Sequence, residues 1–356
     1  MGAANPLRPV LPASHPARQA LVERFDALGW PTRKHPAWQY TDLAPLGSRS
    51  WTSLPTAGGD AAPAAAAEDD HFALLNAAFA PPATRLGETG GPDASDRDVT
   101  ADHMVHRQYT LSVATDTRRQ LVIDGHTTIE GLRTRWINVA LAANSELDLV
   151  WIGQEQGRGH DLARLTANVG PGARLRLWVL KLGTVRSRLE AQLHLDDEGA
   201  QVEVHALALP RGEGTLDLPL AVHHHAPHCL SRMSLRAIGV DRTRSSFNGR
   251  VIVHEGAVKT DSEQHMASML LSAKAEINAK PDLEIYNDDV KCAHGASFGQ
   301  LDDDALFYLR ARGVDRDSAK ALLTRAFAAA VLDALPDALQ AELGDRVLQQ
   351  LAEVGA

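Results

Sequence analysis

Apolar and polar residues alternate along much of the chain between residues 108 and 290. The clearest segments are SELDLVWI (145–152), ARLRLWVLKLG (173–183) and AQVEVHALAL (200–209). A period of two places every second side chain on the same face of a β-strand. Each segment is therefore predicted to be a strand with one buried face.

The predicted strands recur at a nearly constant interval. Their apolar pairs are Leu147 and Leu149, Leu175 and Leu177, and Val202 and Val204, at offsets of 28 and then 27 residues. Two of the three strands follow a Gly-Ala step, at residues 172–173 and 199–200. This repeat predicts the stacked coils of a β-solenoid. A β-sandwich stays open as the alternative, because strands also occur at its usual turn spacing of about 8–12 residues.

Helical patterns precede the strand region. Residues 16–29 have one apolar side, and a second amphipathic stretch covers residues 71–79. The apolar positions of the first helix are Ala20, Leu21, Phe25 and Leu28. Residues 55–68 and 81–98, which are rich in Ala, Pro or Gly, are predicted linkers. Two Trp and a Tyr within residues 29–43 predict an aromatic plug that anchors an irregular segment.

Three helices are predicted after residue 301. Acidic residues that suit a helix N-terminus open the first, which ends at Gly313; they are Asp302, Asp303 and Asp304. The second spans 315–335, with Ala319, Leu322, Leu323, Phe327 and Val331 on one face. The third is a weaker pattern that Gly344 interrupts.

The whole chain is therefore predicted to be mainly β, with helical regions on both sides. A helical region with linkers is expected over residues 1–98, a β core over 99–300 and a C-terminal helical region over 301–356. The length of 356 residues is more than one ordinary core needs and fits two or three units, or one elongated unit.

Composition excludes several classes of protein. The net charge of −9 and the lack of a dense Lys/Arg block argue against a nucleic-acid partner. The sequence contains no run of about 18 apolar residues, so no membrane span is predicted. The N-terminus lacks the pattern of a signal peptide. Two cysteines fit the reducing cytoplasm, which is the expected location.

Several nucleotide and cofactor motifs are missing from the sequence. There is no phosphate-binding loop of the G-x-x-x-x-G-K-[ST] type, so no nucleotide site of its own is expected. There is no G-x-G-x-x-G after a strand. Two cysteines cannot hold a four-cysteine cluster within one chain.

The segment KCAHG (291–295) carries the main candidate chemistry. On an extended strand Cys292 and His294 lie on the same face. Thiolate and imidazole both suit iron, zinc or copper. Three interpretations stay open on the residues alone: simple packing, which is favoured, an incomplete metal or cluster site, and a Cys–His nucleophile.

A second candidate is HHHAPHC (223–229). It offers five donors in seven residues, namely His223, His224, His225, His228 and Cys229. Such a tract can bind metal. A polar loop between solenoid coils is the favoured interpretation, and His254 and His265 are taken as isolated strand or surface residues.

Longer strings in the C-terminal half resemble the SufB/SufD family of iron–sulfur cluster assembly scaffolds. They are FNGRVIV (247–253), KTDSEQHMASMLLS (259–272), KPDLEIYNDDVKCAHGAS (280–297) and LFYLRARGVDRDSAKALLTRAF (306–327). The segment 29–43 also resembles the family, although Pro36 and Ala37 replace expected acidic residues. Within the family, the sequence resembles the SufD branch more than the SufB branch, because it has the string CAHGA and few cysteines.

The resemblance implies a right-handed parallel β-helix flanked by helices, in a non-catalytic scaffold. It implies a complex with SufB and the ATPase SufC, and with the SufS/SufE sulfur donors through SufB. His294, then Cys292, would contact a transient nascent cluster or iron shared with SufB, and iron could be admitted through this chain. The SufC-docking residues would be Phe307, Tyr308, Arg310, Arg312 and Gly313.

Other functions remain as alternatives. A homodimeric metal-binding scaffold or sensor that works without SufB is the main one, since β-helix could pair with β-helix. A β-helix enzyme acting on polysaccharides would need paired carboxylates or an aromatic groove. Only 5% of the residues are aromatic, which disfavours that enzyme.

Overall fold

A computed structural model describes residues 16–53, 70–86 and 98–354. Strands from successive coils pair side by side in two parallel sheets, the arrangement of a β-solenoid. The first sheet contains β1 (Thr52–Ser53), β2 (Thr84–Arg85), β3 (His103–Val113), β5 (Leu132–Leu141), β7 (His160–Val169), β9 (Arg186–Leu195), β11 (Thr215–His224), β13 (Arg244–Val253) and β15 (Glu276–Ile285). The second contains β4 (Arg118–Gly125), β6 (Glu146–Gly153), β8 (Arg174–Lys181), β10 (Gln201–Ala208), β12 (Leu230–Gly239), β14 (Asp261–Leu270) and β16 (Lys291–Gly299).

The repeat read from the sequence is the coil itself. Leu147 lies opposite Leu175, and Leu175 lies opposite Val202, in directly paired strands. Every pairing among the described strands is parallel, which excludes the antiparallel sandwich. The predicted mainly β fold with a solenoid core is confirmed, and the alternating apolar residues fill the space between the two sheets.

One corner of each coil is a residue in the left-handed region of backbone conformation. These residues are Asp116, Asn144, Gly172, Gly199, His228 and Lys259, with φ between 54° and 73°. Their N–H groups donate to the next coil, as in Gly172 to Glu198 O at 3.0 Å and Gly199 to Pro227 O at 3.2 Å. Glycine suits this conformation because it has no Cβ. The two Gly-Ala steps in the sequence therefore mark coil corners.

The N-terminal segments pack against the first sheet. Helix α1 (Pro16–Leu28) contacts α2 (His71–Phe79), and the Arg18 guanidinium donates to Ala78 O at 2.8 Å. Leu21 and Phe25 are buried as predicted, but Ala20 is exposed and Val22 takes its place in the core. Predicted linker 55–68 and most of 81–98 lie outside the described residues, and β1 and β2 add short strands to a region predicted to be helical.

The aromatic segment 29–43 is irregular and anchored, as predicted. Trp38 is buried, and the Arg188 guanidinium lies 4.4 Å from the centre of its indole ring. Arg188 also pairs with Asp217 at 2.5 Å, and the Thr41 hydroxyl donates to the same carboxylate at 2.6 Å. These contacts tie the N-terminal segment to the middle coils of the solenoid.

Three helices follow the last strand: α3 (Asp303–Ala311), α4 (Arg316–Leu332) and α5 (Asp337–Val354). The last two cover the outer face of the second sheet, where Val331 and Val347 pack with Ile152 and Trp178. Two predictions about these helices were wrong, namely the buried position of Leu322 and the interruption at Gly344. Leu322, placed on the buried face, is 47% exposed, because α4 turns only its Ala319–Ala328–Val331 side inward.

Gly344 does not interrupt α5. A glycine inside a helix costs only about 1 kcal/mol relative to alanine. Burial of Leu343, Val347 and Leu351 against the sheet provides more than that amount, at about 1.5–3 kcal/mol per side chain. Packing between elements therefore outweighs the local preference of one residue.

A charged cluster is enclosed between the sheets. Arg133 and Arg135 both pair with Glu155 and Asp161, with the Arg135 and Asp161 atoms 2.7 Å apart. The Lys181 ammonium lies 3.7 Å from Glu155. All five side chains are almost fully buried, so each charge depends on the others for compensation.

Two buried histidines predict that acid destabilises the protein. Burial, with Arg107 nearby, lowers the pKa of His106 from 6.5 to about 3; burial, with Arg186 and Arg49 nearby, does the same for His160. Between pH 6.5 and about 3 the unfolded chain therefore binds more protons than the folded one, and the free energy of unfolding falls as pH falls. Each histidine should cost about 2 kcal/mol between pH 7 and pH 5.

Urea unfolding at pH 7 and pH 5 measures this dependence. His106→Asn should reduce the difference in the free energy of unfolding between the two pH values, because it removes one of the two buried histidines. Equal pH dependence in His106→Asn and the unsubstituted protein would contradict the prediction.

Candidate functional site

The solenoid is open at its C-terminal end. β15 and β16 are the last strands of their sheets, and no strand in the described part of the chain pairs with their outer edges. The core residues of this coil, Ile277, Leu283 and Cys292, are only partly buried, whereas those of earlier coils are enclosed. The final coil therefore presents both unpaired backbone groups and apolar side chains to its surroundings.

Cys292 and His294 lie in β16, on this open coil. Cys292 is opposite Ser262, and His294 is opposite Gln264, on β14. Ser262 and Gln264 are buried, inward-facing residues, so Cys292 and His294 share the corresponding face of β16. The predicted common face is thus present: Cys292 packs on the core, and His294 is exposed because no further coil covers it.

The potential metal donors at this end are too few for a closed metal site. Across residues 16–53, 70–86 and 98–354, no cluster of three or more His, Cys, Asp or Glu donors includes Cys292 or His294. Burial, and the nearby Asp261 charge, raise the pKa of the Cys292 thiol. A thiol of raised pKa is a poor nucleophile at neutral pH, which disfavours the Cys–His catalytic interpretation. Metal binding can still displace the thiol proton.

Cys229 offers no second thiol at this end. Its side chain is 1% exposed within the core, and its thiol donates to Asp197 O at 3.3 Å. Burial raises its pKa as well. Cys229 therefore serves packing, and a cluster at the solenoid end would need thiolates from another chain.

The histidine tract is only in part the polar loop that the sequence favoured, because residues 225–229 form the turn between β11 and β12 while the first two histidines belong to β11. His223 and His224 end β11, His224 points inward to Ser231 Oγ at 2.9 Å, and His228 forms a coil corner. His223 and His225 face outward, where they meet two histidines from neighbouring coils. Burial, together with neighbouring histidines, lowers the pKa of His223 to about 4, so its ring is neutral at pH 7.

The outward histidines form a group that sequence inspection missed. His194 stacks on His223 with ring centres 4.7 Å apart, and His225 stacks on His254 at 4.2 Å. His194 and His254 lie about one coil before and after the tract, so they look isolated in the sequence. The coil period of the solenoid was the signal that could have grouped them.

The residues predicted for partner docking lie on or just after α3. Phe307 is 73% exposed and Tyr308 is 55% exposed. Arg310, Arg312 and Gly313 are exposed as well, and the Arg312 guanidinium lies 4.4 Å from the Tyr308 ring centre. Only Leu306 of this helix is buried. Two adjacent exposed aromatic side chains are a common feature of protein interfaces.

Residues 97–327 match the family model described as "SUF system FeS cluster assembly, SufBD core domain". This match covers well over half of the chain. The chain belongs to the SufBD family. It has a role in iron–sulfur cluster assembly, the process for which the family is named.

Individual SufBD relatives agree with this assignment. The chain is 27% identical to the iron–sulfur cluster assembly protein SufD of Escherichia coli, over 94% of this chain and 93% of that protein. It is 33% identical to a SufBD family protein of Synechocystis, over 56% of this chain and 44% of that protein. The SufD of Bacillus subtilis is 31% identical over 41% of this chain and 34% of its own length.

No helix within the described residues combines the length and apolar character that crossing a membrane requires.

Proposed function

We propose that this chain is a SufD-like scaffold subunit that works with SufB and the ATPase SufC in the cytoplasm to build or transfer nascent iron–sulfur clusters. The observation that carries the proposal is the open C-terminal coil, where Cys292 and His294 share a face with too few donors for a closed site. The cluster or its iron is cargo held between two chains. The subunit makes no bonds itself, and ATP hydrolysis belongs to SufC.

The open coil suits a second solenoid as its neighbour. The outer edges of β15 and β16 carry the unpaired N–H and C=O groups that another strand can bind. Exposed apolar side chains surround these edges, namely Ile285, Tyr286 and Phe298 at 42%, 60% and 60% exposure. SufB, which the family resemblance gives the same fold, would complete the sheets and supply thiolates. SufS and SufE would deliver sulfur through SufB.

The C-terminal helices suit transmission of force from SufC. Residues 300–302 alone separate β16 from α3. A partner that moves α3 would therefore pull directly on the strand that carries Cys292 and His294. We envisage that ATP-driven pairing of SufC shifts the α3 helices, opens the SufB–SufD contact and admits iron and sulfide.

Removal of the exposed imidazole tests the shared site. With SufB and SufC co-expressed, His294→Ala should keep the complex intact but lower its iron and sulfide content about tenfold or more, because a ligand is lost without loss of packing. Iron and acid-labile sulfide are measured per purified complex.

His265→Ala is the matched control, since His265 is an exposed histidine on the neighbouring strand β14. It should leave the iron and sulfide content unchanged. Full cluster content in an intact His294→Ala complex would refute the role of His294.

A homodimeric scaffold without SufB is the second candidate, because the open edges could equally accept a second copy. Light scattering of the isolated chain, alone and after addition of SufB, separates the two. A dimer that SufB does not dissociate would favour the second candidate.

A further inference from the structure

Four imidazoles meet on the outer face of the first sheet. Strand pairing places His194 of β9 opposite His223 of β11. His225 follows β11 on the same outward face as His223, and His254 follows β13 beside it, with its N–H donating to His224 O at 3.0 Å. Residues from three coils thus form one histidine array, defined as His194, His223, His225 and His254.

We propose that His194, His223 and His225 bind a divalent transition-metal ion, with zinc as the reference ion. One ring nitrogen from each of these three residues lies within 4.8 Å of the others. Nδ1 of His194 is 3.3 Å from Nε2 of His225. That separation equals the distance between two nitrogens of a tetrahedral zinc site, about 3.3–3.4 Å for Zn–N bonds of about 2.0–2.1 Å.

Further donors complete the surroundings of this array. Asp196 Oδ1 lies 4.0 Å from His225 Nε2, and Asn168 Nδ2 holds the other oxygen of that carboxylate at 2.8 Å. Gln192 Oε1 lies 3.3 Å from His223 Nε2. A metal-bound imidazole commonly has such a partner on its other ring nitrogen, a position that Gln192 can take for His223. Asp196 instead faces the His225 nitrogen that binds the ion, where it can supply a fourth ligand. The array therefore offers three imidazole ligands, with a carboxylate and an amide beside them.

The rings must turn for an ion to bind. His194 and His223 are stacked with only 14° between their planes, and an ion cannot lie in both planes at once. His225 is exposed, and His194 and His223 are partly exposed, so their rings have room to rotate about the Cβ–Cγ bond. His254 Nε2 lies 3.3 Å from His223 Nδ1 and must turn away when that nitrogen binds the ion, because Nε2 of His223 faces Gln192.

The donor set selects the class of ion. Neutral imidazoles suit zinc, nickel and copper, whereas magnesium and calcium require oxygen ligands. Three protein ligands leave a fourth position for water or Asp196, as in an exchangeable site. The array lies before the last coil and shares no residue with Cys292 or His294. It is therefore independent of the proposed function.

The test uses the full chain without an affinity tag, titrated with zinc against a chromogenic chelator. One equivalent of zinc should bind, and His194→Ala and His225→Ala should each weaken binding at least about tenfold. Cobalt in place of zinc should give the visible bands of tetrahedral coordination without a thiolate charge-transfer band. His265→Ala and Cys292→Ser are the matched controls and should bind as the unsubstituted chain does.

Thermal unfolding with and without zinc separates lost ligands from lost folding. Zinc should raise the Tm of the unsubstituted chain, and should raise it less or not at all in His225→Ala, whose own Tm without zinc should be unchanged. The proposal is overturned if no stoichiometric zinc binds, if both array variants bind as tightly as the unsubstituted chain, or if Cys292→Ser removes binding.

Discussion

Asp161→Ala should lower the free energy of unfolding by about 3–5 kcal/mol, because it removes one of two anions that compensate three buried cations. Asp161 accepts from both Arg133, at 3.0 Å, and Arg135, at 2.7 Å. Those arginines hold the pKa of the Asp161 carboxyl well below its usual range, even though burial alone would raise it. Without it, Glu155 alone would compensate Arg133, Arg135 and Lys181, all of which are almost fully buried.

Urea denaturation followed by circular dichroism measures this loss. Glu342→Ala is the control, since Glu342 is exposed and its ion pair with Arg346, at 2.7 Å, joins residues four apart on α5. Such surface pairs contribute about 0.3–0.5 kcal/mol. A cost for Asp161→Ala that is as small as the control's would mean that water or a shifted side chain replaces the lost carboxylate.

The solenoid was predictable because its signal is local and repeated. Alternation gives each strand, and the interval from Leu147 to Leu175 gives the coil. The positions that break alternation were also informative. Val150 and Ile152 lie between inward residues of β6 and are nevertheless apolar, because α4 and α5 cover that outer face. An apolar outward position therefore indicates which strands a helix will cover, although not which helix.

The candidate site was predictable only in part, for a geometric reason. The common face of Cys292 and His294 follows from the strand period alone. The histidine array does not, because it depends on which coils are adjacent and on coils that differ in length. The exposure of Phe307 was also hidden, since aromatic residues at helical spacing fit a core as well as an interface. The exposure of Phe307 depends on which parts of the chain α3 contacts, and those contacts cannot be predicted from the sequence pattern.

Phe307→Ala combined with Tyr308→Ala should weaken binding of SufC about 100-fold or more. Exposed aromatic side chains at the centre of an interface commonly contribute about 2 kcal/mol or more each, and about 1.4 kcal/mol corresponds to a factor of ten in affinity. Folding should be unaffected, because both side chains are exposed and α3 keeps its buried Leu306 and the Asp302 cap, which accepts from Asp304 N at 2.9 Å. Retention of SufC by tagged complex, and titration of SufC onto the purified chain, measure the effect.

Phe298→Ala separates this surface from the open coil. Phe298 is an aromatic residue of β16 with 60% exposure, similar to Tyr308, but it lies on the solenoid end that we propose binds SufB. It should therefore retain SufC while the double variant loses it. Loss of SufC in both variants would mean that the chain also holds SufC through SufB or through the open coil, which contradicts docking on α3 alone. Retention of SufC in both variants would remove α3 from the proposed mechanism. The movement of SufC would then have no route to β16 through this helix.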